Sequence, residues 1–246
     1  MIASLPMYDT EGTRAANDRL WALIRQAYGA GPPTLDRQTD PHQMWASPDL
    51  VLSQTCGLPY RSQLHDRVTL VGTPDYDVDG CPPGYYRSHV VVRRDDPRPD
   101  LAAFRRARLA RNDVRSQSGW AAIEGHLSEN EYDFSFSGWT LDTGSHAGSV
   151  QAVAAGRADI AAIDAVTWAL LARDTALTSE LRILLSTRPT PGLPLITAKA
   201  REAAPLFAAV KAALQDLSAA DRAQLLLKDL IPIPPAAYLA EPLPRA

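Results

Sequence analysis

The sequence predicts an α/β fold, and three observations carry that prediction. An apolar run from Ile2 to Met7 is followed by an amphipathic segment, Glu11 to Tyr28, in which Ala15, Leu20, Leu23, Ile24 and Tyr28 recur at helical spacing before Gly29. Further on, a strand near 136–141 leads through Thr143-Gly144-Ser145-His146 into an Ala/Val-rich helix to Ala155, a stop at Gly156 and a strand from Asp159 to Ile163. That is a βαβ unit, which implies parallel strands and a right-handed crossover. Finally, the 246 residues are 46% apolar and 22% charged, a globular composition able to bury a sizeable core. The length exceeds one typical domain of roughly 100–200 residues and falls short of two, so one large lobe or two small ones are open.

The remaining elements follow in chain order. Asp49 to Ser53 reads as a strand ending in polar Gln54-Thr55, and Val68–Gly72 and His89–Val92 are β-branched runs. Arg108 to Asn112 is a short strand, with Trp120 to Leu127 inside the helix after it. Beyond Ile163 come a helix around Val166–Ala172, strands near Arg182–Leu185 and Leu195–Thr197, and helices Ala203–Leu217 and Ala220–Leu230. The proline-rich tail from Ile231 to Pro235 reads as an extended strap over the surface.

Charge and composition exclude several classes. Twenty-five basic against 28 acidic side chains leave a formal charge of −3, which disfavours a nucleic-acid partner. Between Arg93 and Arg115 eight arginines are interspersed with four aspartates, the pattern of a salt-bridged surface. No stretch approaches the roughly 20 apolar residues of a membrane-spanning helix. Cys56 and Cys81 lack the paired spacing of a zinc site, so no metal is expected. Each sits beside turn residues, and whether they bridge is open at this level. The G-x-S-x-G, P-loop, H-E-x-x-H and G-x-G-x-x-G signatures are absent, which leaves an enzyme reading without an anchor and no cofactor expected.

Two loops carry the chemistry. Asn112-Asp113-Val114-Arg115-Ser116-Gln117-Ser118-Gly119 and Thr143-Gly144-Ser145-His146 each join a strand to a helix. Hydroxyls and unpaired N–H groups at a helix start accept an anion, because the first-turn donors lack intrahelical partners and the dipole is positive there. Ordinary N-capping by Ser116 or Ser118 is the plainer alternative for the first loop. In an α/β sheet both loops fall at the carboxyl ends of strands, where ligands bind. Asp164 ends another apolar run, as a helix cap or as a ligand carboxylate. Tyr8 and Tyr86 border strands and offer a ring face and a hydroxyl.

Taken together, Gln54-Thr55-Cys56-Gly57-Leu58-Pro59, Tyr86-Arg87-Ser88 with Val90-Val91-Val92-Arg93, Asn112 with Ser116-Gln117-Ser118-Gly119, Gly144-Ser145-His146 and Gly156-Arg157-Ala158-Asp159 through Asp164 resemble a known family. It is the PhnD-like phosphate/phosphonate substrate-binding proteins of ABC transporters, and the match runs in order from about Leu5 to Pro194. The resemblance implies a type II periplasmic-binding-protein fold: two α/β lobes, two hinge crossings and a ligand in a central cleft. Lobe one would hold residues 1–88 and 187–246, lobe two residues 89–186. It further implies that Ser116, Ser118, Gly119, Ser145 and His146 hold the anion while Tyr8, Tyr86 and Asp164 face the rest of the ligand, with Thr55 a further ligand-binding candidate. The two motifs holding Cys56 and Cys81 are paired by the same resemblance, which makes these residues disulfide candidates.

The expected function is capture of a small anion, phosphonate or phosphate-like, by a monomer without catalysis. A transporter permease or a membrane sensor would be its partner. The rival is an enzyme on the same scaffold acting on a small anionic metabolite, with His146 or Asp164 as acid or base. The first residues show no export signal or lipidated cysteine, so the compartment stays open: periplasmic for a mature or trimmed chain, cytoplasmic for a complete product.

Overall fold

A computed structural model describes residues 1–136 and 138–244. Its strands are β1 (Ile2–Ser4), β2 (Leu50–Gln54), β3 (Val68–Asp75), β4 (Tyr85–Tyr86), β5 (Ser88–Arg93), β6 (Leu109–Arg111), β7 (Thr140–Asp142), β8 (Ile160–Asp164), β9 (Leu181–Ser186), β10 (Thr190–Pro191), β11 (Leu195–Ala198) and β12 (Asp229–Ile231). The helices are α1 (Arg14–Tyr28), α2 (Pro41–Trp45), α3 (Gly57–Pro59), α4 (Ala122–Glu129), α5 (His146–Ala154), α6 (Ala165–Asp174), α7 (Ala203–Asp216), α8 (Ala219–Leu225) and α9 (Pro235–Leu239). The chain divides into two compact units: Met1–Tyr85 with Pro191–Ala240, and Tyr86–Thr190 with the tail from Glu241. It therefore passes between them at Tyr85–Tyr86, at Thr190–Pro191 and again at Ala240–Glu241.

The first unit is built on a sheet of order β1-β2-β11-β3-β12. β1 and β2 are parallel, whereas β11 runs antiparallel to β2 and β3, and β12 antiparallel to β3. Every residue of β2 is buried, as a central strand covered on both faces requires. On one face Leu20, Trp21 and Ile24 of α1 pack with Leu206, Val210 and Leu214 of α7. On the other, Met44, Trp45 and Tyr60 surround Leu50 and Ile196. α1 stops at Gly29, whose φ of 79° is the left-handed conformation that lets its N–H reach the Arg25 carbonyl.

The second unit has the sheet order β7-β6-β8-β5-β9. β7, β6 and β8 are mutually parallel, and β5 runs antiparallel to both β8 and β9. Phe104, Trp120, Ile123, Leu127 and Phe136 cover one face, with Val150, Val153 and Leu181 on the other. Helices on both faces of a mostly parallel sheet complete the α/β architecture that the alternating pattern predicts.

Three elements differ from their sequence patterns. The strand expected over 136–141 is confined to Thr140–Asp142. Phe136 instead turns into the core, held there by the buried Glu124 carboxylate, which accepts from the Phe136 N–H at 3.0 Å and the Ser135 hydroxyl at 2.8 Å. Ser137, inside the expected strand, lies outside the described residues. The helix expected to run to Leu230 ends at Leu225, where Leu226 adopts φ 53° and the chain turns back to pair Asp229–Ile231 with β3. Helical periodicity continues through Leu227 and Leu230, yet the open edge of β3 gains more from a ladder partner. Finally, the proline-rich tail is more than a strap. Pro235 opens the short helix α9, and Tyr238 is buried with its hydroxyl donating to the Gly192 carbonyl at 2.9 Å.

Candidate functional site

Strand direction gathers the polar loops of the second unit at one end of its sheet. The carboxyl ends of β6, β7 and β8 lie together because these strands are parallel. β5 runs the other way, so its first residue joins them: Ser88 pairs with Asp164. Ligands of α/β sheets bind at such an end.

The loop after β6 enters a helix whose first turn is wide. Ala121 N–H reaches back five residues to the Ser116 carbonyl at 3.0 Å, a π-type turn of the kind that recurs at functional sites. Ser116 caps this start, its Oγ accepting the Gly119 N–H at 2.9 Å. The Gly119 N–H, expected to face an anion, is thereby engaged within the protein. Glycine is required at 119 because a Cβ there would come 1.8 Å from Asn112 Oδ1. That carbonyl oxygen is buried and accepts no hydrogen bond.

The loop after β7 is built alike. Thr143 Oγ1 donates to the Arg111 carbonyl at 3.0 Å, and the Gly144 N–H donates to the Asn112 carbonyl at 3.1 Å, so the two loops are tied together. Ser145 Oγ accepts the Gly148 N–H at 3.0 Å and caps α5. His146, the first residue of α5, then reaches across: its Nε2 lies 2.9 Å from Ser118 Oγ. The carbonyl of Ser118 is fixed in turn by the Ser88 hydroxyl at 2.9 Å. Being first and second in α5, His146 and Ala147 present N–H groups without intrahelical acceptors, and Ser118 does so in its own helix.

No formal positive charge comes from these donors. Burial pushes the His146 imidazole down to about 4, the Ala162 backbone opposing the shift, so the ring is neutral at pH 7. Arg111 is paired with Asp142 at 2.5 Å and lies over the Trp120 ring, and Arg115 is paired with Asp113 at 3.1 Å. Arg98 likewise bridges Asp96 and Asp159, so the arginine-rich segment has the salt-bridged character its composition predicts. The buried Asp164 carboxylate caps α6, accepting the Thr167 N–H at 2.9 Å. Seven of the nine sequence-derived site residues thus belong to this unit, Tyr86 being buried at its start.

Tyr8 and Thr55 belong to the first unit, at the carboxyl ends of β1 and β2. Tyr8 is buried and meets Tyr76 edge to face at 4.9 Å between ring centroids. Gln54 Nε2 donates to the Tyr76 hydroxyl at 3.1 Å and to the Leu193 carbonyl at 3.2 Å. Thr55 is fully buried, its N–H donating to the Pro194 carbonyl at 3.0 Å. Cys56 precedes α3 and Cys81 lies in the turn before β4; both are half-buried, and the structure draws no disulfide between them.

Sequence reasoning passed over Tyr76, Ser88 and the locking role of Asn112. Tyr76 was within reach, because Asp75-Tyr76-Asp77 ends an apolar strand as Tyr8 and Asp164 do. Ser88 carries no such signal, since its place depends on β5 being antiparallel. Among the described residues no cluster of His, Cys, Asp and Glu is arranged to hold a metal ion, and no helix is long and apolar enough to cross a membrane.

A family model described as "ABC transporter, phosphonate, periplasmic substrate-binding protein" matches residues 52–233. No curated protein sequence matches the chain. Among solved structures, PhnD1 from Prochlorococcus marinus in complex with methylphosphonate is 15% identical with a TM-score of 0.71, covering 96% of this chain and 94% of that one. XAC2383 from Xanthomonas citri, bound to ATP, is 17% identical with a TM-score of 0.68, covering 96% and 92%. A histidine kinase sensor domain with similarity to periplasmic binding proteins is 15% identical with a TM-score of 0.63, covering 93% and 97%. At such identities the likeness is one of fold, and the fold is the two-lobed one that the resemblance implies.

Proposed function

Since this chain belongs to the phosphonate family of periplasmic substrate-binding proteins of ABC transporters, and is thereby a solute-binding protein for a small anion, we propose that its ligand is a tetrahedral phosphonate-type oxyanion held without chemistry at the paired helix starts of its second unit. One observation carries this reading: the 2.9 Å contact between Ser118 Oγ and His146 Nε2, which brings two capped helix starts together at the ligand-binding end of one sheet. The Ser118 hydroxyl and the first-turn N–H groups of Ser118, His146 and Ala147 are the donors. Hydrogen bonds to a charged acceptor are worth about 1.5–3 kcal/mol each, so three or four suffice for useful affinity without a fixed cation. Tyr86 and Asp164 are assigned to the remainder of the ligand. Methylphosphonate in the PhnD1 structure supports the ligand class.

The same pair argues against the enzyme. A Ser–His couple makes a nucleophile when the histidine is a base near neutral pH, oriented by a third group. Here burial holds the ring near 4, and no carboxylate hydrogen-bonds to it among the described residues. The protein would work as a monomer, handing its anion to a transporter permease. A membrane sensor is the second reading, favoured by the fold shared with the histidine kinase sensor domain.

Calorimetric titration with methylphosphonate, inorganic phosphate and sulfate, with phosphorus NMR of the recovered ligand, tests the proposal. Saturable one-to-one binding of methylphosphonate with the ligand recovered intact is expected. Conversion of the ligand, or no binding of any of the three, overturns it.

A further inference from the structure

We propose that the C-terminal segment is a third hinge connection between the two units, latched by an ionic clamp: Arg188, two residues before the second crossing, grips Glu241, the first residue beyond the third. The inference goes beyond the anion site and holds whichever oxyanion that site takes.

Hinge motion is absorbed by the few residues that connect two bodies. Here the C-terminal connection is anchored on both sides. In the first unit Tyr238 is 1% exposed, meets Tyr60 edge to face at 5.0 Å between ring centroids, and donates its hydroxyl hydrogen to the Gly192 carbonyl at 2.9 Å. Thr73 Oγ1 lies 2.5 Å from the same hydroxyl and, that hydrogen being spent, is the donor to it. In the second unit the Glu241 carboxylate accepts from Arg188 twice, from Nη1 at 3.0 Å and from Nη2 at 2.6 Å. Arg188 and Gly192 flank the second crossing, and Tyr238 and Glu241 flank the third. The two passages, 188–192 and 238–241, are therefore fastened to each other at both ends. A hinge motion that bends one has to bend the other.

Isolated ion pairs at a surface contribute little, whereas bidentate or networked ones hold, and this clamp is both. Arg188 Nε donates to Glu129 Oε1 at 2.6 Å. Glu129 closes α4, where the helix dipole disfavours a carboxylate and a cation relieves it. The Glu241 side chain is only 14% exposed, so water competes little for it. Arg188 is steadied by its neighbour: Thr187 gives its N–H to the Ser88 carbonyl at 2.9 Å and takes the Ser88 N–H on Oγ1 at 3.0 Å. Beyond Glu241, Pro242 and Pro244 have no N–H to donate to a ladder. The strap is thus sunk in the core at Tyr238 and held by charge at Glu241, and only the charged end is releasable.

Nitrogen-15 relaxation and residual dipolar couplings of the whole chain, without ligand, test the inference. In the wild type the amide of residue 241 should be as ordered as the body of its unit, with an order parameter of about 0.85, and Glu241→Gln and Arg188→Met should lower it below about 0.6. The same two variants should widen the difference in alignment between the units, which reports their independent motion. Glu129→Gln removes the other partner of the same arginine and should change neither reading, which separates the strap from the general stability of the unit. Sodium chloride at about 1 M should carry the wild type part of the way towards Glu241→Gln and leave that variant unmoved. Each variant is checked for an unchanged melting profile; if Arg188→Met does not fold, Glu241→Gln decides alone. A residue 241 that stays ordered in Glu241→Gln shows that the ion pair does not hold the tail, and a freed tail with unchanged alignment shows that the third connection bears no load. Either result overturns the inference, as does an equal salt response in both proteins. No step uses methylphosphonate, so a failed latch leaves the site reading standing and a failed site leaves the latch standing.

Discussion

Ser118 and His146, 28 positions apart, meet through a 2.9 Å hydrogen bond between Oγ and Nε2. The contact exists because β6 and β7 are parallel neighbours, so the helix starts that follow them emerge side by side. It separates two kinds of serine that the sequence presents as alike. Ser116 and Ser145 are turned back to cap their own helices, whereas Ser118 is turned outward to another element.

That division is measurable. Ser118→Ala should weaken methylphosphonate binding about tenfold or more with little change in stability. Ser116→Ala should behave oppositely, costing about 1 kcal/mol of stability through the lost cap. Calorimetry and denaturant unfolding of both variants check this. A Ser118→Ala protein with undiminished affinity removes its hydroxyl from the site.

Gly119→Ala should destabilise the second unit by roughly 2 kcal/mol or more, since the new methyl would enter the space of Asn112 Oδ1. Asn112→Gly in the same chain should restore most of the loss by emptying that space. Urea unfolding of the single and double variants measures the coupling. Additive losses would mean that the crowding lies elsewhere.

Asp164→Asn keeps an oxygen for the Thr167 N–H and should leave stability within about 0.5 kcal/mol. The lost charge should appear in binding instead, 2-aminoethylphosphonate being weakened several-fold more than methylphosphonate. If titration shows both ligands affected equally, Asp164 is a cap and nothing further.

Acid should destabilise the protein through its partly buried imidazoles. His146, His89 and His126 are all lowered from the usual histidine value, chiefly by burial. The unfolded chain therefore binds more protons than the native one below about pH 6.5, and stability falls as pH drops from there. For His146 the loss continues to about 4, at no more than about 1.4 kcal/mol per pH unit. Thermal melts between pH 7 and 4.5 should fall less steeply in His146→Gln than in the wild type. Identical slopes would show that His146 is accessible to protons in the native state.

What the sequence settled by itself is what depends on neighbours along the chain. Apolar spacing marked α1 and the βαβ unit around α5, Gly29 and Gly156 marked helix stops, and the polar runs at 112–119 and 143–146 marked two helix starts at strand ends. Together with the motif order, these signals were enough to predict the α/β fold and the solute-binding family. Tertiary structure decided which of those polar atoms are available. Whether a serine caps its helix or faces outward, whether Gly119 offers its N–H, and whether His146 carries charge all depend on groups brought up from distant strands. The antiparallel course of β5, which sets Ser88 against Ser118, is chosen by the packing of the whole sheet. So is the edge of β3 that draws Asp229–Ile231 out of a helical pattern. Periodicity is written locally, but a hydrogen-bond partner and a desolvated ring arise only when the chain closes on itself.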